Sequence, residues 1–324
     1  MLVIGIESSA HTFGAGIVSD GKILANEKVM YDVGVRGMIP AKVAEFHASH
    51  AGVVIGRAVK AAGIRLSEVQ GVGYARGPGL GPCLQVGQLA ARTLANRLGV
   101  GIAPVNHSLA HVEITKHASG LRDPVALYVS GGNSQILKLV GEPYRHYRVL
   151  GETFDIGVGN MLDAFARSAR LKPAWGSTVA RLADSGKYVE MPYTVKGMDF
   201  AFSGLLTHAS KLARSERIGD LCYSLQETAF AMLCEATERA LLLTNGRELC
   251  VCGGVAQSRR LREMLALVCR EHGTRFGFAS DDLNADNGAM IAFTAERMLR
   301  KGYSVRIGEC GVEQKYRIDR AVVF

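Results

Sequence analysis

No Cys-x-x-Cys pair occurs in this chain, and its seven cysteines (Cys83, Cys222, Cys234, Cys250, Cys252, Cys269 and Cys310) are odd in number and scattered. That pattern excludes a zinc ribbon or a disulfide framework and reads as free, buried thiols. No apolar run approaches the roughly 18 residues that a membrane span requires, and residues 1–6 carry neither a basic leader nor a small-residue cleavage site. A cytoplasmic chain without membrane association is the expectation. No lysine follows the glycine-rich run Gly77-Pro78-Gly79-Leu80-Gly81-Pro82 where a Walker loop demands one. Disorder is not indicated either: with 48% hydrophobic and 21% charged residues over 324 positions, the composition is that of a globular protein with core enough for two domains. Acidic residues are the scarcer charge, 30 against 38 basic, giving a formal net charge of +8 and a pI of about 9.2. Such an excess fits a polyanionic partner such as nucleic acid, or a merely solvated surface.

What is present centres on Pro104-Val105-Asn106-His107-Ser108-Leu109-Ala110-His111-Val112-Glu113. It reads as a strand running into a helix start, with two imidazoles one turn apart. Positions i and i+4 stand about 5–6 Å apart at Cβ, close enough for two ring nitrogens to meet one ion at about 2.0–2.1 Å. Capping or core histidines would show the same spacing. Asn106 is a good N-cap for a helix beginning at His107, which puts both rings where α/β folds gather binding residues. The missing hard ligand is best sought in Asp286-Asn287-Gly288, which closes the polar loop 280–285 and opens another helix. Two imidazoles and a carboxylate resemble a facial triad with open positions, suited to iron(II) or zinc. Ser108 occupies the place where a zincin carries its general-base glutamate, which counts against a metallopeptidase.

Residues 2–7, 13–19 and 22–29 read as three strands, the last two joined by Asp20-Gly21, a strong hairpin signal. The turn Ser8-Ser9-Ala10-His11-Thr12 is rich in hydroxyl and backbone donors, as a phosphate-contacting turn or an ordinary polar turn would be. A helix is expected over 40–62 and a strand over 69–74. The glycine run then opens a helix to about residue 98, either cradling an anion or making a tight turn. Residues 125–130, 135–140 and 144–150 repeat the three-stranded pattern, with Gly131-Gly132-Asn133-Ser134 at the first turn. Helices over 156–170 and 218–245, a strand over 248–252 ending in Gly253-Gly254-Val255-Ala256, a helix over 258–272, a strand over 274–279 and a helix over 287–301 complete the chain. Residues 196–205, with Phe200 and Phe202, read as a substrate loop or a surface loop pinned by its aromatics. Two copies of one strand-strand-strand-helix unit imply a duplicated α/β fold with a central cleft. The lobes fall at 1–120 and 121–324, with room for the last residues to pack back on the N-terminal lobe.

Taken together, Gly5-Ile6-Glu7-Ser8-Ser9-Ala10-His11-Thr12, Gly77-Pro78-Gly79-Leu80-Gly81, Asn106-His107 to His111, Tyr128-Val129-Ser130-Gly131-Gly132-Asn133, Phe202-Ser203-Gly204-Leu205, Gly253-Gly254-Val255-Ala256 and Asp286-Asn287-Gly288 resemble the tRNA threonylcarbamoyladenosine synthase family, the TsaD/KEOPS catalytic subunits. The resemblance spans essentially the whole chain, in order. Tyr128 and the stretch 112–116 resemble the archaeal and eukaryotic branch. It implies an actin/Hsp70/sugar-kinase-like (ASKHA) fold with two duplicated RNase H-like lobes. It also implies one iron(II) or zinc ion held by His107, His111 and Asp286, with Tyr128 as a further phenolate ligand. The adenylate, or ATP with magnesium in its place, would meet Tyr128, Val129, Ser130, Gly131, Gly132, Asp163, Gly176, Gly253, Gly254 and Ser258, with Glu7, Ser9 and His11 from the first turn. The implied reaction transfers threonylcarbamoyl from threonylcarbamoyl-AMP to the exocyclic amine of the adenosine 3′ of the anticodon, in tRNAs reading codons that begin with A. The implied partners are tRNA, a small kinase-like ATPase subunit and accessory KEOPS subunits.

The chain departs from the family pattern at Pro173-Ala174-Trp175-Gly176 and Ala180, where a Pro-Gly-Gly stretch and a ribose-binding glutamate are usual, at Ser258, where an asparagine is usual, and at Ile39 in place of a histidine. Losing a carboxylate that pairs with ribose hydroxyls weakens nucleotide binding by about 1–3 kcal/mol if nothing replaces it. Two alternatives therefore stand beside a transferase: a scaffold that binds metal and nucleotide without turnover, and a kinase on the same fold. Arg259, Arg260 and Arg262, or Arg297, Arg300 and Lys301, are either contacts for tRNA phosphates or solvated helix faces.

Overall fold

A computed structural model of the chain describes residues 1–33, 37–141 and 144–324. Its elements are β1 (Leu2–Glu7), β2 (Thr12–Ser19), β3 (Lys22–Met30), α1 (Pro40–Ala61), β4 (Gly71–Gly77), α2 (Gly81–Leu98), β5 (Gly101–Asn106) and α3 (His107–Ser119). There follow β6 (Val125–Val129), β7 (Ser134–Val140), β8 (His146–Glu152), α4 (Val158–Ser168), α5 (Gly176–Ala183), β9 (Val195–Lys196), β10 (Asp199–Phe200), α6 (Ser203–Leu212) and α7 (Ile218–Thr244). The chain ends through β11 (Glu248–Cys252), α8 (Arg259–Glu271), β12 (Arg275–Phe278), α9 (Asp281–Asn284) and α10 (Gly288–Arg300). These elements form two compact units, residues 1–114, 140–147 and 285–324 in the first, and 115–139 and 148–284 in the second.

The first sheet runs β3-β2-β1-β4-β5, with β1, β2 and β3 antiparallel and β4 and β5 following β1 in parallel. The second runs β8-β7-β6-β11-β12 with the same pattern, β7 antiparallel and β11 parallel to β6, and β12 parallel to β11. The repeated motif seen in the sequence is thus one topology used twice, and the fold is the actin-like, sugar-kinase-like α/β class. Asp20 and Gly21 take φ of 53° and 75°, the paired positive values of a type I′ hairpin, which is why Asp-Gly sits there. No described helix is long and apolar enough to cross a membrane.

The core of the first unit gathers Ile4, Ile6, Phe13, Ile17, Val72, Tyr74 and Ile102, all buried. Against it α10 packs unusually close. A Cβ on Gly16 would lie 2.1 Å from Ala289 N, and one on Gly288 would lie 2.2 Å from Gly16 N. Helix backbone meets strand backbone there, so the chain entering α10 is fixed to β2 with no side chain between them.

Two stretches differ from the sequence reading. Residues 196–205 are not one loop: a short hairpin, β9 and β10, turns at Gly197, and α6 starts at Ser203. Phe200 and Phe202 are fully buried in the second unit's core, so the aromatics are packing residues. Asp155 organises the change by accepting N–H bonds from Ile156 (2.6 Å), Phe202 (3.0 Å) and Ser203 (2.8 Å). Partial burial opposes its charge, yet the Ser203, Phe202 and Ile156 donors hold the carboxyl down at about 2. The polar loop 280–285 likewise contains a helical turn, α9.

Candidate active site

Two asparagines set the geometry of the first unit's site. Asn106 Oδ1 accepts the Leu109 N–H at 2.9 Å, capping α3, while its Nδ2 donates to Tyr316 O at 3.0 Å. Asn287 repeats the device on α10, its Oδ1 accepting the Met290 N–H at 2.9 Å and its Nδ2 donating to Ala285 O at 2.8 Å. His107 therefore opens α3, His111 follows one turn later, and Asp286 stands directly before the cap of α10.

These three residues converge. A ring nitrogen from each histidine and a carboxylate oxygen of Asp286 lie within 4.8 Å of one another. Both imidazoles turn Nε2 towards the same oxygen, Asp286 Oδ1, at 3.5 Å from His107 and 3.2 Å from His111. The rings are edge to face, with centroids 4.7 Å apart. His111 is fully buried and His107 nearly so, while the Asp286 side chain is 18% exposed.

Behind His107 stands Glu7 at the end of β1. Its Oε2 accepts the Nδ1–H of His107 at 2.9 Å and its Oε1 accepts the Ser9 N–H at 2.6 Å, with Ser9 Oγ 3.2 Å from the same Nδ1. A carboxylate only accepts, so Nδ1 carries the proton and the Nε2 lone pair is left for a cation. The sequence reading had grouped Glu7 and Ser9 with nucleotide contacts; the structure places both on His107. The signal available in the sequence was a carboxylate ending an apolar strand, since a buried charge demands a partner.

Electrostatics follow from this packing. Burial works against a charged His107, but the Glu7 carboxylate and then Asp286 override it and hold the ring up at about 9. Burial pushes His111 down. Asp286, despite its own burial, is held well below the usual carboxylate range by His107, His111 and a contribution from His11. A proton of pKa about 9 must leave His107 before a cation can take Nε2. Zinc affinity, read against a competing chelator, is therefore expected to climb about tenfold per pH unit and level off near pH 9. Glu7→Gln should bind zinc about 10–100-fold more weakly above that plateau and reach its own plateau at lower pH. A variant with wild-type affinity and pH profile would show that Glu7 does not orient the ring.

The second unit carries the other predicted positions. Ser130, at the end of β6, closes its turn through Ser130 N–Asn133 O (2.8 Å) and Asn133 N–Ser130 Oγ (3.1 Å). The turn's carbonyls accept the first donors of α4, Gly159 N to Ser130 O at 3.2 Å and Asn160 N to Gly131 O at 3.0 Å. Gly131 and Gly132 sit at the tip. Further along α4, Asp163 Oδ1 accepts the Gly176 N–H at 2.6 Å, joining two of the residues that the family resemblance implies for the adenylate. Gly253 directly follows β11 with φ +94°, and a Cβ there would fall 2.4 Å from Val129 O and 3.2 Å from the Tyr128 ring, so this turn abuts the end of β6. Tyr128 itself is buried. Ser258 is committed to capping α8, accepting the Leu261 N–H at 3.4 Å. Sequence reasoning passed over Asn160, whose Oδ1 would stand 3.0 Å from a Cβ on Gly131.

Comparison with known proteins adds to this geometry. Residues 21–293 match the family model described as TsaD, tRNA N6-adenosine threonylcarbamoyltransferase. The tRNA N6-adenosine threonylcarbamoyltransferase of Thermococcus kodakarensis is 47% identical over 326 aligned positions, covering 100% of this chain and 99% of that protein. Among solved structures, HypF of T. kodakarensis superposes with a TM-score of 0.64 at 16% identity, over 93% of this chain and 48% of HypF. A ROK family glucokinase from Streptomyces griseus gives a TM-score of 0.50 at 15% identity, over 92% of this chain and 100% of the kinase. These two likenesses concern the fold alone.

Proposed function

Because the chain belongs to the tRNA N6-adenosine threonylcarbamoyltransferase family, we propose that His107, His111 and Asp286 hold one iron(II) or zinc ion for that family's reaction. The chain is an enzyme that makes threonylcarbamoyladenosine in tRNA. The exocyclic nitrogen of adenosine forms a bond to the threonylcarbamoyl carbonyl carbon. With threonylcarbamoyl-AMP as donor, the bond from that carbon to the phosphate oxygen breaks, AMP departs and the nitrogen loses a proton. An adenine amine is a poor nucleophile because its lone pair is conjugated with the ring, so the donor must be electrophilic and held in line.

The donor set fits such an ion: two nearly buried imidazoles and one ionised carboxylate, with Nδ1 of His107 occupied by Glu7. When bound, the ion supplies a Lewis acid that polarises a carbonyl. The chain's own residues do the remaining work. Asn106 and Asn287 fix the helix starts, and Glu7 fixes the tautomer of His107. In the second unit, the Gly131 and Gly132 amides, Asp163, Gly176 and the Gly253-Gly254 turn receive the adenylate, or ATP with magnesium in its place. The acceptor is the adenosine 3′ of the anticodon in tRNAs reading codons that begin with A. It lies in an unpaired loop, where splaying out a base costs little. The reaction takes place in the cytoplasm, with a small kinase-like ATPase subunit and accessory KEOPS subunits as partners.

The observation that carries this reading is the convergence of the three ligand atoms within 4.8 Å. Its test is incubation of the purified chain and its partner subunits with threonylcarbamoyl-AMP and unmodified tRNA, followed by nucleoside mass spectrometry. Threonylcarbamoyladenosine is the expected product. A chain that binds zinc and nucleotide but leaves the tRNA unmodified is a scaffold.

A further inference from the structure

The two arginine clusters nominated by the sequence are largely occupied by carboxylates. Arg260 forms a two-pronged pair with Glu227 at 2.7 and 2.6 Å, and Arg262 bonds Asp281 at 2.5 Å while lying over the Phe278 ring. Arg297 holds Glu113 at 3.1 Å, and Arg300 holds Glu296 at 3.0 Å. Charges spent in this way have little attraction left for an outside anion.

Elsewhere in the second unit the balance is different. Arg167, Arg170 and Lys172 at the end of α4, and Lys211 and Arg214 at the end of α6, are all exposed, and among the described residues none forms an ion pair. Neither 164–183 nor 200–215 contains a single aspartate or glutamate. The two helix ends are joined side by side, Ser168 Oγ lying 3.0 Å from Ser210 Oγ, so Arg167 and Lys211, which flank these serines, belong to one surface. Arg167 and Lys211 also complement helix dipoles in their last turns. Arg170, Lys172 and Arg214 lie beyond the helix ends, where that explanation does not reach. Arg167 follows Asp163 by one helical turn, so the basic surface continues from the proposed adenylate site along the same helix.

Arg170 supplies an independent sign. It takes φ +55°, and Leu171 N–H closes α4 on Ala166 O at 2.8 Å, the helix ending that favours glycine. A bulky side chain is disfavoured in that conformation. An arginine there costs stability relative to glycine.

We infer that Arg167, Arg170, Lys172, Lys211 and Arg214 form the surface on which this chain receives the phosphate backbone of its tRNA. The inference rests on the tRNA reading above and names where that substrate is gripped. The test is retention of an unmodified tRNA transcript by the full chain over a salt series, together with thermal melting. Arg170→Gly should melt at or above the wild-type temperature yet bind tRNA about 3–10-fold more weakly, with the slope of log affinity against log salt reduced by about 1. The pair Arg167→Gln with Lys211→Gln should lose about tenfold or more and reduce the slope by about 2. Arg259→Gln, in the cluster at the start of α8 and paired with Glu263 at 3.4 Å, should bind like wild type. Variants that bind like a tRNA-binding wild type, or an equal loss in Arg259→Gln, would overturn the surface while leaving the enzymatic reading intact. A wild-type chain that retains no tRNA even with its partner subunits present overturns both.

Discussion

Replacing His107 and His111 together by alanine is expected to bring metal content to background and to lower threonylcarbamoyl transfer by at least about a thousandfold. That loss corresponds to roughly 4 kcal/mol, in the range a Lewis acid contributes. The double variant also carries a structural penalty. Glu7 is fully buried and would keep the Ser9 amide but lose its imidazole partner, and stranding one member of a buried pair costs about 3–5 kcal/mol. A second variant separates the two effects. Asp286→Asn keeps the shape of the ligand and leaves the Glu7–His107 bond alone, so it should melt close to wild type while losing metal and transfer. Retention of both metal and activity by Asp286→Asn would show that the triad is a structural polar cluster.

The second large effect is expected at a contact between two backbones, which itself contains no ionisable group. Gly288→Ala places a Cβ 2.2 Å from Gly16 N and 2.4 Å from the Ala15 carbonyl carbon, and both are backbone atoms that cannot rotate away. Relief requires α10 to move off β2, at a cost of about 3 kcal/mol or more. Asp286 lies two residues before this contact, so the ligand moves with the helix. The variant should therefore lose thermal stability and metal affinity together, measured by melting and by zinc titration of the same sample. A Gly288→Ala protein that melts and binds zinc like wild type would show that the close approach does not position Asp286.

How much of this was legible in the sequence depends on how far apart the cooperating residues lie. The triad could be read because its ligands gather at two helix starts marked locally, with Asn106 before His107, His111 one turn on, and Asn287 after Asp286. The duplicated topology could be read because both meanders repeat the same strand spacing. Glu7 is different. Its partner lies 100 residues away, and only the parallel pairing of β1 with β4 and β4 with β5 brings the ends of β1 and β5 near each other. The stretch 196–205 looked like a loop because its organiser, Asp155, precedes Ser203 by 48 residues. Charge clusters mislead for the same reason: sequence counts cations, whereas only the fold reveals that Glu227 and Asp281 have claimed Arg260 and Arg262.

The central claim is that two imidazoles and one carboxylate, His107, His111 and Asp286, bind a single ion. X-ray absorption at the zinc edge of the zinc-loaded full chain tests it most directly. The account predicts a first shell of nitrogen and oxygen, with nitrogen at about 2.0–2.1 Å, together with the outer-shell scattering of two imidazoles. A sulfur shell near 2.3 Å, or oxygen alone without imidazole scattering, would contradict it.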